Sequence, residues 1–171
     1  HAGARCRVVF SGDTVVDPQH WGQQALARGW LAEMGRIARA AGSLPLYWFL
    51  IVKGHRTYRY LPAFARRFVP QPGGKDDPAL LALRNAVALA RFGPAFDPAS
   101  GVIRFATPQG NLREALAQPD PRALRLPEVR HFLAANPGYA QGDELACLCS
   151  LAPENMQPLA RRWFMVGHGG G

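Results

Sequence analysis

The run Leu46-Tyr47-Trp48-Phe49-Leu50-Ile51-Val52 constrains the fold more than any other stretch of the chain. It is too apolar for a solvated edge and predicts a strand that the rest of the sheet covers. Lys53-Gly54 breaks the run, and His55-Arg56-Thr57-Tyr58-Arg59-Tyr60 begins a helix. Upstream, Val8 to Val16 reads as a strand closed by Asp17-Pro18. The turn Gln19-His20-Trp21-Gly22-Gln23-Gln24 leads into a helical pattern from Ala25 to Ala41, and Pro45 restarts the chain into the apolar strand. Strand, turn, crossover helix and parallel strand make a right-handed βαβ unit. The turn puts backbone N–H groups at the positive end of a helix, which is where an anionic ligand sits without needing any particular side chain.

The first helix carries an apolar stripe of Leu26, Trp30, Met34, Ile37 and Ala41, widened by Leu31 and Ala38, at spacings of three and four. Gly29 and Gly35 interrupt it and predict a close approach to a strand, and Gly42-Ser43 ends it. Helical spacing then runs from Tyr58 through Phe68, with Pro62 forcing a kink or break before it. After the loop Pro70 to Lys75, Asp77 caps a helix that has Pro78 at its first position and extends to Arg91. A turn at Asp97 to Gly101 precedes a strand over Val102 to Ala106. Pro127 to Ala135 is a short helix, Glu144 to Leu151 the last long strand, and Pro153 to Phe164 a closing helix that Pro158 delays. The order predicts one α/β domain over residues 1–166 with a mixed, mostly antiparallel sheet around a central βαβ unit, and a flexible glycine-rich tail over 167–171.

The formal net charge of +8 comes almost wholly from arginine, since lysine occurs only at 53 and 75. Arginine's planar fork suits phosphates and carboxylates, so the balance favours anionic partners. A solvated basic surface is the simpler account of the charge, and composition by itself favours it. The arginines are spread over every segment without an aromatic-glycine motif, which argues against nucleic acid as the partner. Three cysteines do not make a disulfide scaffold, and Cys147 and Cys149, two apart in a strand, share one buried face. His1, His20, His55, His131 and His168 are scattered without metal-ligand spacing, so no metal is expected. The longest apolar stretch, Leu44 to Val52, is too short to span a bilayer. Residues 1–7 lack a signal-peptide pattern, and a cytoplasmic location is expected.

The stretch around Val16-Asp17-Pro18 resembles the GNAT superfamily of acyl-CoA-dependent N-acyltransferases. In that family a strand ends in Val-x-Pro, the turn Arg/Gln-x-x-Gly-x-Gly/Ala holds the CoA pyrophosphate, and the next strand and helix complete a V-shaped cleft. Trp21-Gly22-Gln23-Gln24-Ala25-Leu26 lies where that turn falls, but in degenerate form. Trp21 stands for the Arg/Gln, and Gln24 and Leu26 for the two small residues; starting at Gln19 instead restores Gly22 to the fourth position. The run Phe49-Leu50-Ile51-Val52-Lys53-Gly54-His55-Arg56-Thr57-Tyr58-Arg59-Tyr60-Leu61-Pro62 is similar to one found in a bacterial branch of GNAT-like proteins. The resemblance covers roughly residues 5–70.

The resemblance implies a parallel strand splay between the two strands of the βαβ unit. The family's leading strands have no counterpart here, so a preceding segment, a second chain or a homo-oligomer is expected to complete the sheet. Val15 and Val16 would offer backbone groups to the pantetheine arm. Gly22, Gln23, Gln24 and Ala25 would offer N–H groups to the pyrophosphate. Tyr58 matches the tyrosine that protonates the departing thiolate, with Tyr60 as its substitute, a task that suits a phenol because it is neutral at pH 7. Asp13 would relay a proton from the attacking amine, and Arg56 and Arg59 would meet the CoA 3′-phosphate. Each tyrosine has the alternative of simple packing, Asp13 that of capping a turn, and Arg56 and Arg59 that of a solvated face, which is the simpler account. The implied activity is transfer of an acyl group from acetyl-CoA, a longer acyl-CoA or a carrier-protein thioester to an amine, into a small-amine site or a fatty-acyl channel. Two alternatives stay open: a GNAT-fold ligand-binding or scaffold protein without turnover, and a basic nucleic-acid-binding protein.

Overall fold

The structure, a computed structural model, describes residues 5–12, 24–74, 76–107 and 118–169. Its strands are β1 (Arg7–Ser11), β2 (Leu46–Val52), β3 (Phe68–Val69), β4 (Phe96–Asp97), β5 (Val102–Ile103) and β6 (Glu144–Ser150). Among the described residues they form one sheet in the order β1-β2-β6-β5-β4, with β3 also pairing β6. β1 and β2 are parallel, from Arg7↔Leu46 to Ser11↔Leu50. Every other pairing is antiparallel. The fold is therefore α/β with a mixed sheet. The βαβ unit stands at one edge, however, and β6 takes the centre, flanked by β2 from Leu145 to Ser150. The two parallel strands pair throughout β1, so no splay falls within the described part of β1.

The alternation along β2 and β6 explains the layering. Leu46, Trp48, Leu50 and Val52 share a cluster with Leu145, Cys147 and Cys149, and that face is covered by α1 (Gln24–Ala41), α2 (His55–Tyr58), α3 (Tyr60–Phe64), α5 (Pro127–Ala135) and α6 (Pro158–Gly169). Phe49, Ala146 and Leu148 point the other way, against Leu83 and Ala88 of α4 (Pro78–Phe92). With both faces covered, β2 has no solvated side, which is why its sequence is apolar throughout. Cys147 and Cys149 are fully buried on the same face, as their spacing predicts. Asp77 caps α4 by accepting from the N–H groups of Ala79 and Leu80 at 2.9 and 3.2 Å.

Several expectations change. Gly35 makes its close approach to a helix: a Cβ there would run into the carbonyl oxygen of Phe164 on α6, while Gly29 has nothing near it. Leu26 lies off the buried face at 45% exposure, whereas Leu31, Met34 and Gly35 are buried. Phe68 belongs to β3 rather than to a helix, because the chain leaves α3 at Phe64 and joins the edge of β6. Pro62 is tolerated because the break at Arg59 places it in the first turn of α3, where its missing N–H has no intrahelical partner to lose. The strand expected over 102–106 is only Val102–Ile103, paired across a tight turn with Phe96–Asp97. The closing helix begins at Pro158, after a short 3₁₀ turn over Pro153–Asn155. Gly167, His168 and Gly169, expected in a flexible tail, form the last turn of α6, where a Cβ on Gly167 would strike the carbonyl oxygen of Ala32.

Candidate functional site

The short connection from Ala41 to Leu46 places the end of α1 beside the start of β2. An 18-residue helix is ~27 Å long, so α1 runs back along the strands and its first turn lies toward their carboxyl ends. In open α/β sheets that end of parallel strands is where ligands gather. Gln24 and Ala25 open this helix and are exposed, and its first turn carries no acidic residue beside the N–H groups that lack an intrahelical partner. Asp13, Val15, Val16, Gly22 and Gln23 lie outside the described residues.

β2 ends at the same side, and α2 begins after the two residues Lys53 and Gly54. Lys53, at the junction, pairs with the buried carboxylate of Glu144 at 3.4 Å. Next in the chain, Arg56, Arg59, Tyr60, Pro62 and Ala63 line an open groove of about 560 Å³, joined by Glu128 of α5. Arg59 Nε lies 3.8 Å from Glu128 Oε1, and Tyr60 is 40% exposed with its ring 5.4 Å from that of Phe64. The groove thus offers guanidinium groups and a solvent-facing phenol. Glu128 could not be assigned to it from sequence, because it arrives from a helix about seventy residues downstream.

Tyr58 is placed very differently from its neighbour Tyr60. It is fully buried, its ring 6.1, 5.9 and 5.8 Å from those of Phe68, His131 and Phe132. Its hydroxyl donates to the carbonyl oxygen of Pro70 at 2.6 Å. Burial, reinforced by the electrostatic influence of Cys147, Asp76 and Glu128, pushes this phenol far above its ordinary range. A proton held that firmly, and already committed to a backbone acceptor, ties β3 to α2. Nearby, Nδ1 of His55 and Nε2 of His131 are buried without a hydrogen-bond partner. Burial holds both imidazoles below their ordinary value; Arg56 and Arg59 push His55 the same way, against a weaker opposing pull from Asp120.

On the other face of the sheet, Arg84 is buried at 4% exposure, with Nη1 donating to the Ala146 carbonyl at 3.3 Å and the guanidinium 5.5 Å from the Phe96 ring centre. It needs Gly101 beneath it, where a Cβ would overlap Nη1. Nothing in the amphipathic spacing of α4 marks this arginine as internal. No group of three or more His, Cys, Asp or Glu side chains that could hold a metal ion occurs among the described residues, and no helix there is long and apolar enough to cross a membrane. No family model, curated protein or solved structure matches the chain.

Proposed function

We propose that this chain is an acyl-CoA-dependent N-acyltransferase with a GNAT-like arrangement, moving an acyl group from a CoA or carrier-protein thioester to an amine. One observation carries the reading: the acid-free start of α1 lies toward the carboxyl ends of β1 and β2, the end at which β2 leads through Lys53-Gly54 into the segment that carries Arg56, Arg59 and Tyr60. Helix N–H groups and guanidinium groups suit the pyrophosphate and 3′-phosphate of CoA. In the reaction the amine nitrogen attacks the thioester carbonyl, the C–N bond forms and the C–S bond breaks. The departing thiolate takes the proton of an exposed phenol, and Tyr60 fits that part better than the buried Tyr58. Asp13 takes the proton from the new ammonium centre. Positioning and stabilisation of the carbonyl oxygen supply most of the rate.

Thiol release from acetyl-, octanoyl- and palmitoyl-CoA with a panel of amines tests the reading. Tyr60→Phe is expected to slow turnover by about 10²-fold or more while leaving the melting temperature unchanged, and Tyr58→Phe to leave turnover unchanged. Millimolar acyl-CoA is expected to raise the melting temperature, since a ligand that binds only the native state stabilises it. The engagement of Tyr58 with Pro70 favours a second reading, a CoA-binding protein without turnover. A melting shift without thiol release selects that reading. Absence of any shift removes both.

A further inference from the structure

We infer that the chain carries a second binding site, at the opposite end of the sheet, for a small organic acid: one carboxylate or phosphate on a flat or branched apolar body. The site is a cavity of about 360 Å³, at the lower end of the ~300–1,000 Å³ range of small-molecule pockets. It gathers the amino-terminal ends of the parallel pair, Arg5-Cys6 ahead of β1 and Pro45 ahead of β2, together with Ser150 at the finish of antiparallel β6, opposite Tyr47. The first turn of α4 closes it from above. It is therefore separate from the groove at the carboxyl end, and the inference does not rest on the acyltransferase reading.

The lining divides into two parts that call for different halves of a ligand. Pro45 and Tyr47, facing Leu80 and Leu83 of α4, give the apolar part of the lining, with Leu83 itself buried. Arg5 and Arg67 stand at the rim, and neither joins an ion pair among the described residues. The carboxylate that shares the cavity, Asp77, already accepts from two N–H groups of α4, so the two guanidinium groups outweigh it. Arg67 also springs from a fixed point. Its N–H donates to Oδ1 of Asn155 at 2.9 Å, and Nδ2 of Asn155 donates back to its carbonyl at 2.9 Å and to that of Ser150 at 3.0 Å. Asn155 is 4% exposed and lines the same cavity, so the backbone beneath this arginine is held before any ligand arrives. A bare phosphate would leave the apolar part unfilled, and a neutral apolar molecule would leave the arginines uncompensated.

Cys6 lines the cavity and is the one cysteine with accessible surface, since Cys147 and Cys149 are fully buried. Its alkylation by iodoacetamide, followed by peptide mass mapping on the intact chain, therefore reports occupancy. Millimolar benzoate or phenyl phosphate is expected to slow Cys6 alkylation with saturation, while inorganic phosphate and benzyl alcohol at equal concentration leave the rate unchanged. Comparing the two acids identifies which anionic head is preferred. Arg67→Gln is expected to raise the half-protecting concentration by about tenfold, the loss of one charge-assisted contact, without changing the unprotected rate or the melting temperature. Arg5→Gln gives the same comparison if Arg67→Gln fails to fold. Should Cys6 resist alkylation in the free protein, ligand-observed NMR titration of the same four probes reads the same differences. Protection by neither acid, equal protection by phosphate alone (an adventitious ion only), or equal protection by benzyl alcohol each overturns the inference.

Discussion

Two tyrosines two positions apart have opposite fates, and the difference lies in which neighbours each ring meets. Tyr58 faces the interior, where its hydroxyl is the partner of a backbone carbonyl. Tyr60 looks out over an arginine-lined groove. Removing the Tyr58 hydroxyl as Phe keeps the ring contacts but leaves the Pro70 carbonyl without its donor, at an expected cost of about 1–3 kcal/mol. Urea denaturation of Tyr58→Phe checks this, and a midpoint equal to the parent's would show that the carbonyl finds another partner. The family resemblance marked Tyr58, with Tyr60 as its substitute, because both follow closely on the apolar strand. Which one faces solvent depends on the break at Arg59, where one short helix ends and the next begins.

At the scale of elements, the packing of α1 on α6 depends on small residues. Gly35 lets the backbone of α6 pass where a side chain would stand, and Gly167 does the same in return. In an isolated helix glycine costs ~1 kcal/mol relative to alanine. Gly29→Ala, at an exposed site with nothing near the new Cβ, is therefore expected to stabilise by about 0.5–1 kcal/mol. Gly35→Ala is expected to destabilise by about 1–3 kcal/mol despite the same gain in propensity, because the new methyl meets backbone that cannot rotate away. Thermal melts of the two variants should move in opposite directions. Equal shifts would mean that the helices separate freely at this contact.

For the whole molecule, buried His55 and half-buried His131 set a pH dependence. His55 and His131 have folded-state values held below the ordinary 6.5, chiefly by burial, so the unfolded chain binds protons more readily than the fold does. Arg56 and Arg59 reinforce this at His55 and Asp120 opposes it; at His131 the opposing group is Asp76. Their contribution to stability is complete above the unfolded value and is lost progressively as the pH falls below it. The urea midpoint is expected to decline between about pH 7 and pH 5, and His55→Gln with His131→Gln to flatten that decline. An unchanged slope in the double variant would assign the decline to carboxylates instead.

Local pattern along the chain locates most elements. The apolar run of β2, the stripe and glycine stop of α1, the Asp77-Pro78 entry to α4 and the paired cysteines of β6 are local patterns, written at the period of the element they form. It also determined that the fold is α/β. Tertiary structure alone decided what has no local period. That includes the central place of β6, the two-residue strands β3 and β4, the shortness of β5, the burial of Tyr58 and Arg84, and the cavity built from Arg5, Arg67 and Asn155. Those features are contacts between segments far apart in the chain. Their free energy comes from surfaces that become complementary only after the sheet has assembled, and no spacing within one segment encodes them.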